Sequence, residues 1–242
     1  MAVSVCCPAT PQFIKSVNAV LKVLNRQLIS SSLPVLALTD TAFHAQQLMA
    51  DYHVMHLPVT SHDQYLGLIS EDDVLNAPDE QQPLEQLESQ LLRLSVKADS
   101  HFVEAVQLCN SYGLSVIPVI EKEMEWVGAI SAADLLKYLG RMTGTDEPGG
   151  IIVLELPKAD FSFSEICKLV ETNDAQITQL NTFFDNQVQL LYVTLKLNRF
   201  EVSDVVATFQ RYEYTVKYYF GEELYENEIR VNYDHLMNYL NM

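Results

Sequence analysis

The feature that most constrains the fold of this chain is an internal repeat. Residues 36–75 and 96–136 share one pattern at an offset of 60 positions, which becomes 61 after a single insertion. In each copy, a short apolar segment precedes a stretch with helical spacing, two apolar strands and the start of another helix. One such β-α-β-β-α unit of about 55–60 residues is small for an independent core. The sequence therefore predicts two copies that pack together.

The repeat is most specific where the strands meet the last helix. A proline stands in the second strand, a glycine in the third, and a serine three residues before an aspartate at the junction that follows. These residues are Pro58, Gly67, Ser70 and Asp73 in the first copy, and Pro118, Gly128, Ser131 and Asp134 in the second. One Ser-x-x-Asp is a weak signal, whereas two with the same upstream pattern indicate a duplicated structural unit.

The Ser-x-x-Asp pattern predicts a helix cap in both copies. The serine hydroxyl accepts from a backbone N–H of the first turn, and the acid three residues later bonds back to the backbone of the cap. The same helix end also offers donors to an anionic ligand oxygen, and a carboxylate one turn later can accept from both hydroxyls of a ribose. A cap and a ligand site are therefore compatible predictions for the same residues.

On these residues, the chain resembles a CBS-domain pair, also called a Bateman module. The resemblance implies that Asp73 and Asp134 hold the ribose of an adenosyl ligand, and that Ser70 and Ser131 face its phosphate. It also implies that the backbone and neighbours of the two prolines hold the adenine, and that the segment entering each repeat closes the pocket. The residues implicated in these two roles are Thr39, His56 and Pro58 in the first copy and Lys97, Val116 and Pro118 in the second.

The chain departs from the nucleotide-binding pattern beside the aspartates. Where such motifs often carry Arg or Lys, this sequence has Asp72 and Ala133. A further carboxylate in the first site opposes a phosphate. We therefore expect the second site to bind better than the first, and AMP, adenosine or S-adenosylmethionine to be preferred over ATP. The alternative is a structural or interaction protein with degenerate ligand sites, which dimerises and binds a protein partner.

Residues 151–221 predict a different kind of domain. They follow a linker rich in Gly at 144–150 and have the order β-α-β-β-α-β, which is ferredoxin-like. This part resembles ACT domains, and the whole chain resembles bacterial CBS-pair proteins with a C-terminal ACT-like domain, loosely grouped with acetoin-utilisation proteins. Because the loop at 157–161 lacks the glycine that amino-acid-binding ACT domains use, we expect a dimerisation or partner role there.

The predicted fold class is therefore α+β, with tandem CBS domains followed by a ferredoxin-like ACT-type domain. Residues 13–28 have the spacing of an amphipathic basic helix that packs on the protein or on a second subunit, serves as a flexible extension, or targets the chain. The predicted limits are an N-terminal extension at 1–27, CBS domain 1 at 28–82, CBS domain 2 at 83–143, the linker at 144–150, the ACT-like domain at 151–221 and a helical tail at 222–242.

The net charge of −17 argues against nucleic acid and anionic membranes as partners. The charge is +3 over residues 1–39, −13 over 40–149 and −7 over 150–242, so the acidity is greatest in the predicted ligand-binding half. The four cysteines form no CxxC pair, and no run of 18 apolar residues occurs. We therefore expect a cytoplasmic protein with no membrane-spanning segment.

The sequence offers no catalytic constellation. No nucleophile elbow, Walker loop or HExxH pattern occurs, and His53 and His56 straddle a helix-to-strand transition that disfavours a shared metal. We expect no catalytic residues, no metal and no cofactor beyond the adenosyl ligand. The expected function is that of a non-catalytic regulatory module that forms a homodimer and signals to an unidentified protein partner.

Overall fold

A computed structural model describes residues 23–221 of the chain, which divides into two compact units, Met1–Tyr138 and Leu139–Met242. Both units combine helices with strands, so the predicted α+β class is confirmed. The predicted tail helix at 222–242 and residues 13–22 of the predicted N-terminal helix lie outside the described residues.

The first repeat has the predicted order of elements. Thr41 begins its first helix, because the Thr41 hydroxyl accepts from the backbone N–H of His44 at 3.2 Å. The helix buries Ala45 and Met49 against the strands. The elements are β1 (Leu36–Ala37), α1 (Ala42–Tyr52), β2 (His56–Ser61), β3 (Gln64–Ser70) and α2 (Glu71–Leu75).

The second repeat follows the same course. Its first helix ends at Gly113, whose φ of 63° places it in the left-handed region that favours glycine. A 3-10 helix at Leu84–Gln90 connects the repeats, and another at Lys122–Met124 joins the second and third strands. The elements are β4 (Val96–Lys97), α3 (Phe102–Tyr112), β5 (Val116–Ile120), β6 (Trp126–Ser131) and α4 (Ala132–Met142).

Each repeat builds a three-stranded sheet, in the orders β1-β2-β3 and β4-β5-β6. Within each sheet the first pair of strands is parallel and the second antiparallel. Strand β5 is buried along its whole length, and Val116 and Ala129 belong to the core of the first repeat. The two repeats therefore share a core, as predicted from the small size of one unit.

The segments that precede the two repeats are exchanged between them. Residues 23–32, here called the N-terminal lead-in, run along the second repeat, where Asn25 N donates to Ser100 O at 3.0 Å and Ser30 N to Ala129 O at 2.9 Å. Residues 90–94, the middle lead-in, run along the first repeat, where Leu92 and Leu68 exchange two backbone hydrogen bonds at 2.8 Å. Each repeat is thus completed by a segment that enters the other.

The repeated glycines allow these close crossings. A Cβ on Gly67 would lie 2.7 Å from the Cβ of Leu91, and a Cβ on Gly128 would lie 2.5 Å from Cγ2 of Ile29. Real Cβ atoms do not approach that closely, so each glycine makes room for a lead-in.

The N-terminal lead-in corrects one prediction from the sequence. The spacing of residues 13–28 predicted an α-helix up to Leu28, but the described end of this stretch is a 3-10 turn at Asn25–Gln27. The backbone N–H groups of Asn25 and Arg26 bond to carbonyls of the second repeat, which holds them out of a regular helix. Tertiary hydrogen bonds here override the local helical spacing.

The second unit has the ferredoxin-like arrangement that its order of elements predicted. Four antiparallel strands lie in the order β10-β7-β9-β8, and helices α5 and α6 bury Ile166, Val205 and Phe209 in its core. A 3-10 helix at Lys158–Asp160 follows the first strand. The elements are β7 (Ile151–Leu156), α5 (Phe163–Glu171), β8 (Ile177–Asp185), β9 (Leu190–Leu197), α6 (Ser203–Arg211) and β10 (Thr215–Phe220).

Candidate functional site

The strand-to-helix junction of the first repeat is a complete capping box. Ser70 Oγ accepts from Asp73 N at 3.2 Å, and Asp73 Oδ2 accepts from Ser70 N at 3.3 Å. Ser70 Oγ also donates to Asp73 Oδ2 at 2.5 Å. The predicted cap is confirmed, and it fixes the Asp73 carboxylate over the first turn of α2.

The junction of the second repeat places Asp134 in the same way. Ser131 Oγ accepts from Asp134 N at 3.0 Å and donates to Asp134 Oδ2 at 2.8 Å. Lys137, one turn later on α4, lies 3.4 Å from Asp134 Oδ1. The hydrogen bond from Ser131 lowers the pKa of Asp134 most, burial opposes that shift, and Lys137 and then a hydrogen bond from Ser30 lower it further.

The two junctions differ in the charge beside the aspartate. The position that corresponds to Lys137 is occupied by Asn76, whose amide donates to Asp72 O at 2.8 Å. The first junction therefore has no cation in that place and an additional carboxylate, Asp72, whose side chain is exposed. The second junction has Ala133 there. The electrostatic potential at the second junction is therefore less negative than at the first, which favours an anionic ligand at the second junction.

His56 lies close to the first junction and joins the two repeats. Burial lowers its pKa, while Asp73 and Asp72 oppose that shift. Its Nδ1 accepts from Ser115 N at 3.3 Å and lies 3.2 Å from Ser115 Oγ. Because Nδ1 accepts a backbone hydrogen bond, the neutral ring carries its proton on Nε2. The sequence placed His56 beside an adenine, and the structure brings it next to the carboxylates of that site.

The prolines and Val116 are buried in their strands. Pro58 and Pro118 are both buried, opposite Leu68 and Ala129 in their sheets. Val116 has no exposed surface, so its side chain is part of the core. A contact from the Val116 side chain to an adenine is therefore not available in this structure.

The residues that enter each repeat lie at the surface. Thr39 is exposed in the turn between β1 and α1, and Lys97 is exposed at the end of β4. The Lys97 carbonyl accepts from Asn25 Nδ2 at 2.9 Å, and Asp99 pairs with Arg26 at 2.6 Å. The loop that follows β4 is therefore held by the N-terminal lead-in.

Sequence reasoning did not select two partners of the second junction as site residues, because it favoured Lys97 over Lys137 as the nearby cation. Lys137 stands three residues after Asp134, a spacing that brings side chains together on a helix and could have identified the pair. Ser30 precedes Asp134 by about a hundred positions, and no periodicity links them. Only the exchange of the lead-ins brings Ser30 to this carboxylate.

Cavities also occur among the described residues of the second unit. One, of about 530 Å³, lies beside α5 and β8 and includes Phe163 and Cys167. Another, of about 310 Å³, lies at the loop after β7, and carboxylates dominate its polar lining. Burial and then a hydrogen bond with Glu165 raise the pKa of Tyr214 in this cavity to about 12. The acidic residues that line it are Glu155, Asp160, Glu165 and Glu213.

Neither a metal cluster nor a membrane-spanning helix occurs in the part of the chain that the structure describes. Within residues 23–221, no group of three or more His, Cys, Asp or Glu side chains is arranged to hold a metal ion. Among the helices of that same range, none combines the length and the apolar character that crossing a membrane requires.

The family model of the CBS domain matches residues 23–80 of this chain. The first repeat is therefore a CBS domain, and the resemblance predicted from its motifs is confirmed. The matched range includes the whole N-terminal lead-in, residues 23–32. The start of CBS domain 1 predicted from the sequence, residue 28, falls inside that lead-in.

Two solved structures and one curated relative are similar to about half of this chain. A CBS domain pair/ACT domain protein from Thermotoga maritima is 18% identical, with a TM-score of 0.44, and the match covers 49% of this chain and 98% of that one. An acetoin utilization protein (AcuB) from Vibrio cholerae is 19% identical, with a TM-score of 0.44, covering 52% and 96%. Similarity at this level carries no functional argument.

The curated relative is a homoserine O-acetyltransferase from Methanosphaerula palustris. It is 29% identical over 120 residues, which are 49% of this chain and 24% of the relative. The chain thus spans about a quarter of the length of the relative it matches, and the acetyltransferase activity is not transferred to it.

Proposed function

Starting from a CBS domain at residues 23–80, we propose that this chain is a non-catalytic regulatory module. It binds an adenosyl ligand at the junction of the second repeat and signals through the arrangement of a homodimer and of its C-terminal domain. The observation that carries this proposal is the position of Asp134. Its carboxylate is held at the start of α4 by Ser131, with Lys137 beside it.

The chemistry of this junction suits a ribose. A carboxylate has two oxygens and can accept more than one hydrogen bond on each, so Asp134 retains acceptor capacity beside the Ser131 donor. Asp134 is ionised at neutral pH, as an ordinary aspartate is, and its pKa is lowered further. The ionised carboxylate is the form that accepts from both hydroxyls of a ribose. The positive end of the α4 dipole, next to Asp134, favours a phosphate or another anionic ligand oxygen.

The surrounding charge favours ligands of low charge. Residues 40–149 carry a net charge of −13, which opposes a triphosphate more strongly than a monophosphate or a neutral nucleoside. We therefore propose AMP, adenosine or S-adenosylmethionine as the ligand class in preference to ATP. The first junction is proposed as the weaker site, since Asp72 adds charge there and Asn76 supplies no cation.

Regulation would follow from linkage. A ligand that binds one arrangement of the two repeats more tightly shifts the population toward that arrangement. We propose residues 28–82 and 83–143 as the two CBS domains, 144–150 as the linker and 151–221 as the ACT-like domain that transmits the change or assembles the dimer. The cytoplasm remains the proposed location.

One observation favours the alternative, an interaction protein with degenerate sites. Three pairs of equivalent positions in the repeats carry exposed large apolar side chains. Single exposed apolar residues are ordinary, but the same positions in both copies suggest a surface used for contact with a protein. The pairs are Phe43 and Val103 (40% and 49% exposed), Tyr52 and Tyr112 (45% and 59%), and Leu75 and Leu136 (58% and 70%).

Thermal unfolding with added ligands tests the proposal. The full chain is heated with AMP, ADP, ATP, adenosine, S-adenosylmethionine or NADH, and its midpoint is compared with that of Asp134→Ala. At about 100 times the dissociation constant, a ligand of the native state adds about 2.7 kcal/mol, a visible shift. We expect shifts from the adenosyl compounds of low charge, their loss in Asp134→Ala, and their retention in the control Asp51→Ala, which changes an exposed aspartate of α1. No shift with any compound would favour the interaction protein.

A further inference from the structure

The contact between the two repeats contains a polar cluster around Ser115, the residue just before β5. Met55 N donates to Ser115 Oγ at 2.9 Å, and Ser115 N donates to His56 Nδ1 at 3.3 Å. The His56 ring is also within hydrogen-bond distance of the hydroxyl, with 3.2 Å between Nδ1 and Ser115 Oγ. These partners stand 59 or 60 positions apart, so the cluster joins the start of β2 to the start of β5.

The same cluster is bonded to the helices that follow the two sheets. Met55 O accepts at 2.9 Å from the backbone N–H of Glu71, the first residue of α2. Ser115 O accepts at 3.0 Å from the backbone N–H of Ala132, the first residue of α4. Each strand-to-helix junction is therefore one backbone hydrogen bond away from the contact between the repeats.

The duplication does not duplicate this link. At the offset of 60 positions, His56 corresponds to Val116 and Ser115 corresponds to Met55. Valine has no polar side-chain atom, and the thioether of methionine is only a weak acceptor. Of these four positions, only His56 can change its charge near neutral pH, so one ring makes this contact sensitive to protons.

The charged groups that face His56 belong to the first junction. His56 lies opposite Ser70 in the pairing of β2 with β3, next to the start of α2. Asp73 and Asp72 on α2 favour the charged form of the ring. On the other side, Ser115 carries no charge, and its backbone N–H needs the neutral ring as an acceptor. The ring thus lies between groups that favour opposite protonation states.

We propose that His56 is a pH-sensitive link between the two repeats. An imidazolium carries a proton on both nitrogens, so protonation removes the Nδ1 acceptor and leaves Ser115 N without that partner. The charged ring is then attracted toward Asp72 and Asp73 and away from the second repeat. A fall in pH therefore weakens the contact that holds the two junctions together. This device needs no adenosyl ligand and does not rest on the proposed function.

The direction of the pH dependence follows from the burial of the ring. Burial lowers the pKa of folded His56 below its ordinary value of 6.5, and Asp73 and Asp72 oppose that shift. The unfolded chain then takes up the proton more readily than the folded chain. The contribution of His56 to stability is fully present above about pH 6.5 and is lost as the pH falls toward the lowered value.

Urea denaturation of the full chain at about pH 8 and about pH 5.5 tests the link. In His56→Asn, an amide oxygen bonded to Cγ, as Nδ1 is, can accept from Ser115 N at both pH values. Between these conditions the unfolding constant of the wild type should rise about threefold more than that of His56→Asn, the scale of one neutral hydrogen bond. The control His44→Asn removes an exposed histidine of α1 and should keep the pH dependence of the wild type. Equal pH dependence in the wild type and His56→Asn would overturn the proposal.

Nitrogen-15 NMR of the folded wild type decides the question without relying on the stability of a variant. In alkaline solution, we expect the proton of the neutral His56 ring on Nε2, with Nδ1 free to accept. On acidification, the amide resonance of Ser115 should shift with the same midpoint as the His56 ring. A proton on Nδ1 in alkaline solution, or a Ser115 amide that does not follow the ring, contradicts the link.

Discussion

The two strand-to-helix junctions share their cap but not their surroundings. Both serines accept from the backbone of the aspartate three residues later, at 3.2 Å in the first repeat and 3.0 Å in the second. Beyond the cap, Asp73 is followed one turn later by Asn76 and has Asp72 beside it, whereas Asp134 has Lys137 and Ser30 as partners.

This difference separates two roles of one motif. The cap satisfies backbone donors at a helix start, and that requirement is identical in both copies. The charged groups and hydroxyl groups around the cap satisfy no such backbone donors. They can therefore differ between the two repeats without loss of the helix start. We infer that the cap serves stability in both repeats and that ligand binding depends on what surrounds it.

The largest expected effect tests a feature that both repeats share, the glycine over which a lead-in crosses. Gly67→Ala places a Cβ 2.7 Å from the Cβ of Leu91 and 3.1 Å from Leu92 O, and the middle lead-in must move. Overpacking of this kind should lower the free energy of unfolding by about 2 kcal/mol, measured by urea denaturation.

The control for that change is Gly140→Ala, within helix α4, where alanine is the better helix former. It should not lower the free energy of unfolding, because among the described residues the only close group is the side chain of Thr145, at 3.0 Å. If both variants unfold alike, the crossing of the lead-in over Gly67 does not constrain the fold.

An intermediate effect tests the charge difference between the junctions. Lys137→Asn gives the second junction the residue of the first, and Asn76→Lys does the reverse. Removal of the cation should weaken AMP about threefold and adenosine hardly at all, since pairs of exposed charges contribute less than about 1 kcal/mol. Titration calorimetry with both ligands measures this.

The reverse change should strengthen binding of AMP at the first junction. The matched reference is Lys168→Asn, on α5 of the second unit, which removes one positive charge far in sequence from either junction. A threefold loss of AMP affinity in that variant as well would assign the effect to net charge and not to the position of Lys137.

The smallest expected effect concerns pH. The folded pKa of Asp134 lies below its ordinary value of 3.8, so its contribution to stability is present above that pH and is lost as the pH falls through the lowered value. The Asp134 side chain is 36% exposed, and solvent screening limits the contribution to about 0.5 kcal/mol.

Denaturation of the wild type and Asp134→Asn at several pH values between about 5 and 3 measures this contribution. The difference in free energy of unfolding should shrink toward the acid end. A difference that stays constant over that range would show that ionised Asp134 gains nothing from Ser131, Lys137 and Ser30.

Particular residues show how far sequence reasoning reached. The repeat predicted both caps at Ser70 and Ser131, and the capping geometry confirms them. The order of elements predicted the ferredoxin-like arrangement of residues 151–221. The helical spacing extended the N-terminal helix to Leu28, where the structure has a 3-10 turn, because hydrogen bonds to Ser100 and Ala98 lie outside any local pattern.

The sequence by itself determined what depends on near neighbours along the chain. Capping needs a spacing of three residues, strands need alternating or continuous apolar positions, and a duplication makes these signals visible twice. Only the tertiary structure decided which segment completes which repeat. The exchange of the lead-ins depends on contacts across about 70 to 100 positions, such as Asn25 with Lys97 and Ser30 with Ala129, and the chain carries no period that links them. For that reason the surroundings of Asp134 followed from the fold and not from its motif.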